Sequence, residues 1–153
     1  MKLAYISIIC FLVMVSCTKL EQNLEDSFNT PGSGTTSATD ALLTAAYNSM
    51  NGLMHAQDLL FSLQETTTDE ALIPVRGGDW DDNGVWRVLH AHTWTTIHVQ
   101  FKNVFNGLGQ LESAAITVLA FNPTPQQRAE ALFLRSLAQF YFLDLYGQVP
   151  YRP

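Results

Sequence analysis

Several residue types are scarce in this chain, and each scarcity disfavours a class of protein. The sequence holds two cysteines, Cys10 and Cys17, so it cannot form the set of several disulfides that stabilises many small secreted domains. Only eight residues are basic, against fourteen acidic ones, and the net charge is −6 at pH 7. Because nucleic-acid binding depends on a basic surface, this charge balance disfavours DNA or RNA as a partner.

The longest apolar run is short and lies at the amino terminus. It extends from Leu3 to Val15, after the single basic residue Lys2, and is followed by the small residue Ser16. A helix that crosses a bilayer needs about twenty apolar residues, so this run is too short for a permanent span. A basic start, a short apolar stretch and a small residue before the cut are typical of a secretory signal peptide. We therefore predict a signal peptide over residues 1–16.

The residues at the predicted cut, Met14-Val15-Ser16-Cys17, resemble a bacterial lipobox. Cleavage before Cys17 removes Cys10 and leaves one cysteine, at the new amino terminus. Lipidation of Cys17 would consume that thiol, and the acyl chains would supply membrane affinity. The sequence therefore predicts lipidation at Cys17.

A polar tether and a first helix follow. Residues 17–36 are rich in Thr, Ser, Asn and Gly, a composition typical of a flexible linker. From Ser37 to about Met54, apolar residues recur at three-to-four spacing and predict an amphipathic helix. Thr39 or Asp40 is the expected cap. Residues 56–66 are expected to form a shorter helical segment.

Two further long helices are predicted after residue 95. The first covers about 96–119, where Gly107 and Gly109 allow close helix approach. The next begins at Pro125, with Thr124 and Gln127 as a capping box, and ends at Gly147. Two antiparallel helices joined by a short turn suggest helical hairpins of the tetratricopeptide type.

The last of these helices is apolar on nearly all sides, so we expect it to be central and part of its surface to remain exposed. Its arginines, Arg128 and Arg135, are expected to pair with Glu130 and Asp144, because charges on an apolar helix need partners.

Residues 66–96 lack a sustained periodicity of apolar residues and are rich in Gly, Asp, Thr and Trp. We predict a long ordered loop there, and loops of that length are usually functional.

The third long helix and its flanks carry the most specific motifs. The helix reads Arg128-Ala129-Glu130-Ala131-Leu132-Phe133-Leu134-Arg135-Ser136, followed by Phe140-Tyr141-Phe142-Leu143 and Tyr146-Gly147-Gln148-Val149-Pro150. Before it come, in order, the lipobox at Cys17, Ala46-Tyr47, Thr68-Asp69-Glu70 and Arg76-Gly77-Gly78-Asp79-Trp80. In these motifs the chain resembles the SusD/RagB family of outer-membrane nutrient-binding lipoproteins.

The resemblance implies both a fold and a function. The fold would be all-α, with tetratricopeptide-like hairpins and a long irregular loop, and residues 37–153 would form an incomplete SusD-like amino-terminal domain. The function would be capture of oligosaccharides, or of peptides in RagB-like members, for a SusC-like TonB-dependent transporter. The protein would be lipid-anchored in the outer membrane and exposed at the cell surface. A structural partner of the transporter and a surface glycan hydrolase are the alternatives.

The long loop holds all three tryptophans of the chain, Trp80, Trp86 and Trp94. An indole can stack on the apolar face of a sugar ring while neighbouring polar groups bind its hydroxyls. Trp94 abuts the next helix and is expected to pin the loop to it, and the same packing role is the alternative for Trp86. The predicted ligand-binding residues are Trp80 first, with Asp79, Asp81, Arg76 and Trp86.

Two patterns in the loop suggest metal ions only weakly. The segment from Asp79 to Gly84 matches the opening of a calcium loop, but His90 stands where the closing glutamate belongs. An Asx-rich turn is the favoured interpretation, and a looser calcium site stays open. His90, His92 and His98 lack the Cys or Glu that would complete a transition-metal set, so we predict no metal site.

Motifs of nucleophilic catalysis are missing as well. The sequence has no G-x-S-x-G, and no pair of carboxylates is placed in a predicted shared cleft. The resemblance implies a binding protein rather than an enzyme, without a cofactor, and the lack of these motifs agrees with that expectation.

Overall fold

The computed structural model describes residues 36–150. The predicted signal peptide, Cys17 and nearly all of the predicted tether lie outside this range. Within it the chain is mostly helical and has no β-strand, only an isolated bridge between Arg76 and Asp79. The predicted all-α fold is therefore confirmed.

The described residues form five α-helices. They are α1 (Thr36–His55), α2 (Ser62–Thr66), α3 (Val85–His90), α4 (Val99–Ala120) and α5 (Pro125–Tyr146). A π-helical turn, Gln57–Phe61, precedes α2, and a 3-10 turn, Asp82–Gly84, precedes α3. No helix within residues 36–150 is long and apolar enough to cross a membrane.

The three long helices α1, α4 and α5 pack on one another through small and aliphatic side chains. One buried cluster joins them along Leu43, Ala46, Leu111, Ala115, Val118, Ala131, Leu134 and Ala138. A second cluster attaches the loop and the short helices through Leu53, Leu60, Leu63, Trp86, Leu89, Val104, Leu108 and Phe142. The alanines let the helix backbones approach closely, and the second cluster fixes the base of the loop.

The start and end of α5 agree with the sequence prediction. The Gln127 amide donates to Thr124 Oγ1 at 3.3 Å, and the Thr124 amide donates to Gln127 Oε1 at 2.8 Å. This capping box satisfies backbone donors that the first helical turn leaves without partners. At the other end Gly147 takes a φ of +70°, the left-handed conformation that glycine adopts without strain.

The expected cap of α1 is wrong. The helix already begins at Thr36, so Thr39 and Asp40 lie inside it. The Thr39 hydroxyl is buried and donates to the carbonyl oxygen of Phe121 at 3.1 Å, and Asp40 accepts a hydrogen bond from the Gln127 side chain. Both side chains therefore bind the α4–α5 connection instead of capping their own helix.

Arg135 forms an ion pair, as expected, but with a carboxylate on a neighbouring helix. Its Nε lies 3.8 Å from Oε1 of the buried Glu112 on α4, which also accepts from Gln139. Glu130 instead accepts a hydrogen bond from the Tyr47 hydroxyl at 2.9 Å. That bond raises the pKa of Tyr47, since a phenolate could not donate it. The polar side chains of α5 thus tie it to α4 and α1.

The loop prediction needs one correction, because residues 66–96 contain helical structure. The 3-10 turn and α3 occupy its centre, and Trp86 and Leu89 of α3 are buried. A helix of six residues is too short to show a reliable apolar period in the sequence. The remainder of the segment is irregular, as expected.

Candidate functional site

The irregular part of the loop and the π-helical turn before α2 line an open groove of about 430 Å³, which we call the Trp80 groove. Its apolar lining is provided by Phe61, Leu72, Ile73 and Pro74. Arg76, Asp79 and Trp80 supply its polar and aromatic side. Three of the five predicted ligand-binding residues are therefore brought together in one concave site.

Trp80 presents a partly free aromatic face. Its side chain is 40% exposed, and its ring centroid lies 5.5 Å from that of Trp86, with the planes tilted by 48°. Trp80 and Asp79 also line a depression of about 430 Å³ that includes Asp58 and Asp82. The indole thus has a supported side and sides open to solvent, which is the arrangement needed for stacking on a ligand.

Trp86 has a different place from the one predicted. Its side chain is 3% exposed, and its indole N–H donates to Asp82 Oδ2 at 2.7 Å. An indole so deeply buried offers little surface to a ligand. Trp86 therefore packs against Trp80 and supports it rather than facing a ligand, which agrees with the packing role given as its alternative.

Asp81, another of the predicted ligand-binding residues, is engaged elsewhere. Its Oδ1 lies 2.7 Å from Nη1 of Arg87, and the two groups form an ion pair at the surface. Asp81 does not line the Trp80 groove. Its carboxylate is engaged by α3, so it holds the loop rather than facing a ligand in that groove.

The backbone around Trp80 is held in an unusual conformation. Trp80, Asp82 and Asn83 have φ values of +53°, +41° and +54°. A positive φ is uncommon for any residue with a Cβ, and for a bulky residue such as tryptophan it indicates strain that surrounding contacts must hold. In this segment Asp82 is tied to α3 by its hydrogen bond with Trp86, and Asp81 by its ion pair with Arg87.

Phe61 was missed by the sequence prediction. It stands at the end of the π-helical turn, is 59% exposed and lines the Trp80 groove together with the loop residues. In the sequence it is one apolar residue in a short helical segment, where burial is the ordinary expectation. Only the tertiary arrangement of α2 and the loop places it beside Trp80.

A second concave region lies where the loop meets α4 and α5, and we call it the Trp94 groove. It encloses about 470 Å³ and is lined by Trp94, Phe101, Lys102, Phe105, Asn106 and Tyr146, with two threonines before α4. Trp94 packs on Phe101 with ring centroids 5.3 Å apart, so it does pin the loop to α4. It is also 38% exposed, so one side of the indole still faces solvent.

The side chains considered for metal binding do not converge. Asp81 and Asp82 are engaged by Arg87 and Trp86. His92 and His98 lie within hydrogen-bond distance of two different carbonyl oxygens, those of Thr67 and Val85. Among residues 36–150 no group of three or more His, Cys, Asp or Glu side chains is placed to hold an ion.

Comparison with known proteins adds no relative. No family model matches the chain, and neither a curated protein nor a solved structure matches it.

Proposed function

We propose that this protein is a cell-surface lipoprotein of the SusD/RagB type, which captures oligosaccharides without cleaving them and passes them to a SusC-like TonB-dependent transporter. The observation that carries the proposal is the Trp80 groove, where exposed aromatic side chains and two charged groups share one concave surface. The motifs of the third long helix and the lipobox at Cys17 support the anchor and the transporter as partners.

The chemistry of the groove suits a sugar. Trp80 and Phe61 offer aromatic faces on which the C–H face of a pyranose packs. Arg76 and Asp79 offer a donor and an acceptor for the ring hydroxyls. Neither of the two forms an ion pair with another side chain in the described range, so their hydrogen-bonding capacity is available to a ligand.

The groove gives a reason to prefer binding over hydrolysis. Most glycosidases use two carboxylates that flank the scissile bond. Asp79 is the one carboxylate among the described residues that line the Trp80 groove. Of the two further carboxylates in the adjoining depression, Asp58 and Asp82, the second already accepts the indole N–H of Trp86. A RagB-like peptide ligand is the second candidate, because Leu72, Ile73 and Pro74 form an apolar wall suited to a peptide side chain.

Affinity electrophoresis and calorimetry with a panel of neutral glycans test the proposal, using the full chain purified in detergent. Phe61→Ala and Trp80→Ala should each weaken binding of the preferred glycan about fivefold or more, since removal of an aromatic side chain that stacks on a nucleic-acid base costs about 1–3 kcal/mol and a sugar ring packs on the same kind of face. The matched control is Phe133→Ala on α5, because Phe133 is 58% exposed and Phe61 is 59% exposed. The control should bind like the unaltered chain.

Each rival predicts a different result in the same assays. Release of reducing ends would identify a hydrolase. Binding confined to peptides, and weakened by the same two substitutions, would identify a RagB-like protein. Absence of binding to both panels would favour a structural partner of the transporter, and equal losses in the control and the two groove variants would contradict a site at Trp80.

A further inference from the structure

The Trp94 groove has walls of fixed geometry. Phe101 packs between Trp94 and Tyr146, with ring centroids 5.3 and 6.3 Å away, and Phe105 packs edge-on against Tyr146 at 5.2 Å. The Tyr146 hydroxyl donates to the carbonyl oxygen of Phe101 at 2.7 Å. These contacts hold the aromatic side chains together, while Trp94 and Phe105 remain 38% and 40% exposed. The groove therefore offers two aromatic surfaces that need not rearrange on binding.

The charge of this groove is opposite to that of the molecule. The chain carries a net charge of −6, yet none of the described residues that line the groove is acidic. Lys102 lies at its edge on α4, is exposed, and forms no ion pair within residues 36–150. By contrast, Asp79 lines the Trp80 groove. The Trp94 groove is thus a locally cationic site on an acidic protein.

We propose that the Trp94 groove is a second binding site and that its ligand is an acidic saccharide, one with a uronic acid ring. The ring would stack on Trp94 or Phe105, and its carboxylate would pair with the Lys102 ammonium group. Asn106, one turn further along α4, carries an amide that binds ring hydroxyls. The carbohydrate class of the ligand rests on the proposed function, whereas the location and the preference for an anion rest on this groove alone.

The experiment compares tri-galacturonate with its methyl ester, which keeps the rings and removes the negative charges. Calorimetric titration of the full chain in detergent should give severalfold tighter binding of the acid than of the ester, and the difference should shrink as salt is raised. Lys102→Gln should abolish this preference, Lys102→Arg should retain it, and Trp94→Ala should weaken both ligands. The control is Arg128→Gln, which removes one positive charge from an exposed position on α5.

The outcomes separate this proposal from the one for the Trp80 groove. A preference for the acid that survives Trp80→Ala but is lost in Lys102→Gln supports a separate site for acidic saccharides, even where every neutral glycan fails to bind. Equal affinity for acid and ester, no binding of the acid, or equal losses in Arg128→Gln and Lys102→Gln would overturn it. If only Trp80→Ala weakens binding of the acid, the acidic saccharide binds in the Trp80 groove instead.

Discussion

Tyr146 joins the end of α5 to the start of α4. Its phenol is half-buried and donates to the carbonyl oxygen of Phe101 at 2.7 Å. Burial raises the pKa of Tyr146 to about 12, because a phenolate is less well solvated there than in water. The folded state therefore holds this proton more tightly than the unfolded state, in which tyrosine has a pKa near 10.

This difference predicts a pH dependence of stability. The contribution of Tyr146 is fully present below about pH 10 and is lost as the pH rises through about 12, because the unfolded state releases the proton first. Tyr146→Phe should lower the free energy of unfolding by about 1 kcal/mol at pH 8, through loss of the hydrogen bond. It should also flatten the decline between pH 10 and 12. Urea titrations across this range measure both effects, and an unchanged slope in the variant would contradict the assignment.

Single side chains also show where the sequence is informative about the site. Arg76, Asp79 and Trp80 were predicted together because they are neighbours in one short stretch, and a turn keeps them close. Phe61 lies in a different element and reaches the same groove only through the packing of α2 against the loop. The apolar pattern predicts that such a residue packs against something, but it does not specify the partner.

At the scale of elements, the close approach of α1 and α4 depends on one glycine. A Cβ added to Gly107 would lie 2.8 Å from Leu53 Cδ1, whereas a Cβ on Gly109 would meet nothing within 4 Å. Leu53 is buried, so it has little room to move. Both glycines lie within α4, and they form a matched pair that separates helix propensity from helix packing.

Gly109→Ala should raise the free energy of unfolding by about 0.5–1 kcal/mol, since glycine is a poor helix former. Gly107→Ala raises the helix propensity by the same amount, but the added methyl group overpacks the α1–α4 contact, which costs about 1–3 kcal/mol. We expect the Gly107 variant to be the less stable of the two by about that amount in urea unfolding. Equal stabilisation by both substitutions would show that Leu53 moves aside without cost.

The helices were predictable to the extent that their signals are local. The capping box at Thr124 and Gln127 lies within four consecutive residues, so the start of α5 was predicted correctly. The Thr39 hydroxyl bonds to Phe121, eighty-two residues away, and nothing near Thr39 in the sequence indicates that partner. The same reason explains the pairing of Arg135 with Glu112 on a neighbouring helix. The local sequence pattern therefore does not determine which distant groups the polar side chains contact.

At the scale of the whole molecule, the proposed membrane attachment rests on lipidation of Cys17. No helix within residues 36–150 is able to span a bilayer. Under the proposed lipidation, Cys17→Ala should shift the protein from the membrane fraction to the soluble fraction after cell lysis, because the acyl chains would supply the membrane affinity. Cys10→Ala, within the predicted signal peptide, is the control and should leave the protein in the membrane fraction. Retention of the Cys17 variant at the membrane would contradict lipid anchoring.

The outer surface of α5 is apolar, as expected from its sequence. Its exposed large side chains are Leu132, Phe133, Phe140 and Leu143. Phe133, Phe140 and Leu143 follow one another at seven- and three-residue spacing, with Leu132 next to Phe133, and the four lie on the face opposite the buried residues of the same helix. Monomeric proteins rarely expose a contiguous apolar patch of this kind without a use for it.

This stripe predicts the solution behaviour of residues 18–153 expressed without the signal and the lipid anchor. Burying one Phe or Leu side chain contributes about 1.5–3 kcal/mol, so several uncovered ones favour self-association. We expect strong binding of a hydrophobic dye and a sedimentation profile that broadens with concentration. Replacing Phe133 and Phe140 by serine should reduce both effects with little loss of stability, because the two side chains are already 58% exposed. A monodisperse monomer without dye binding in the unaltered chain would show that this face of α5 is covered in solution.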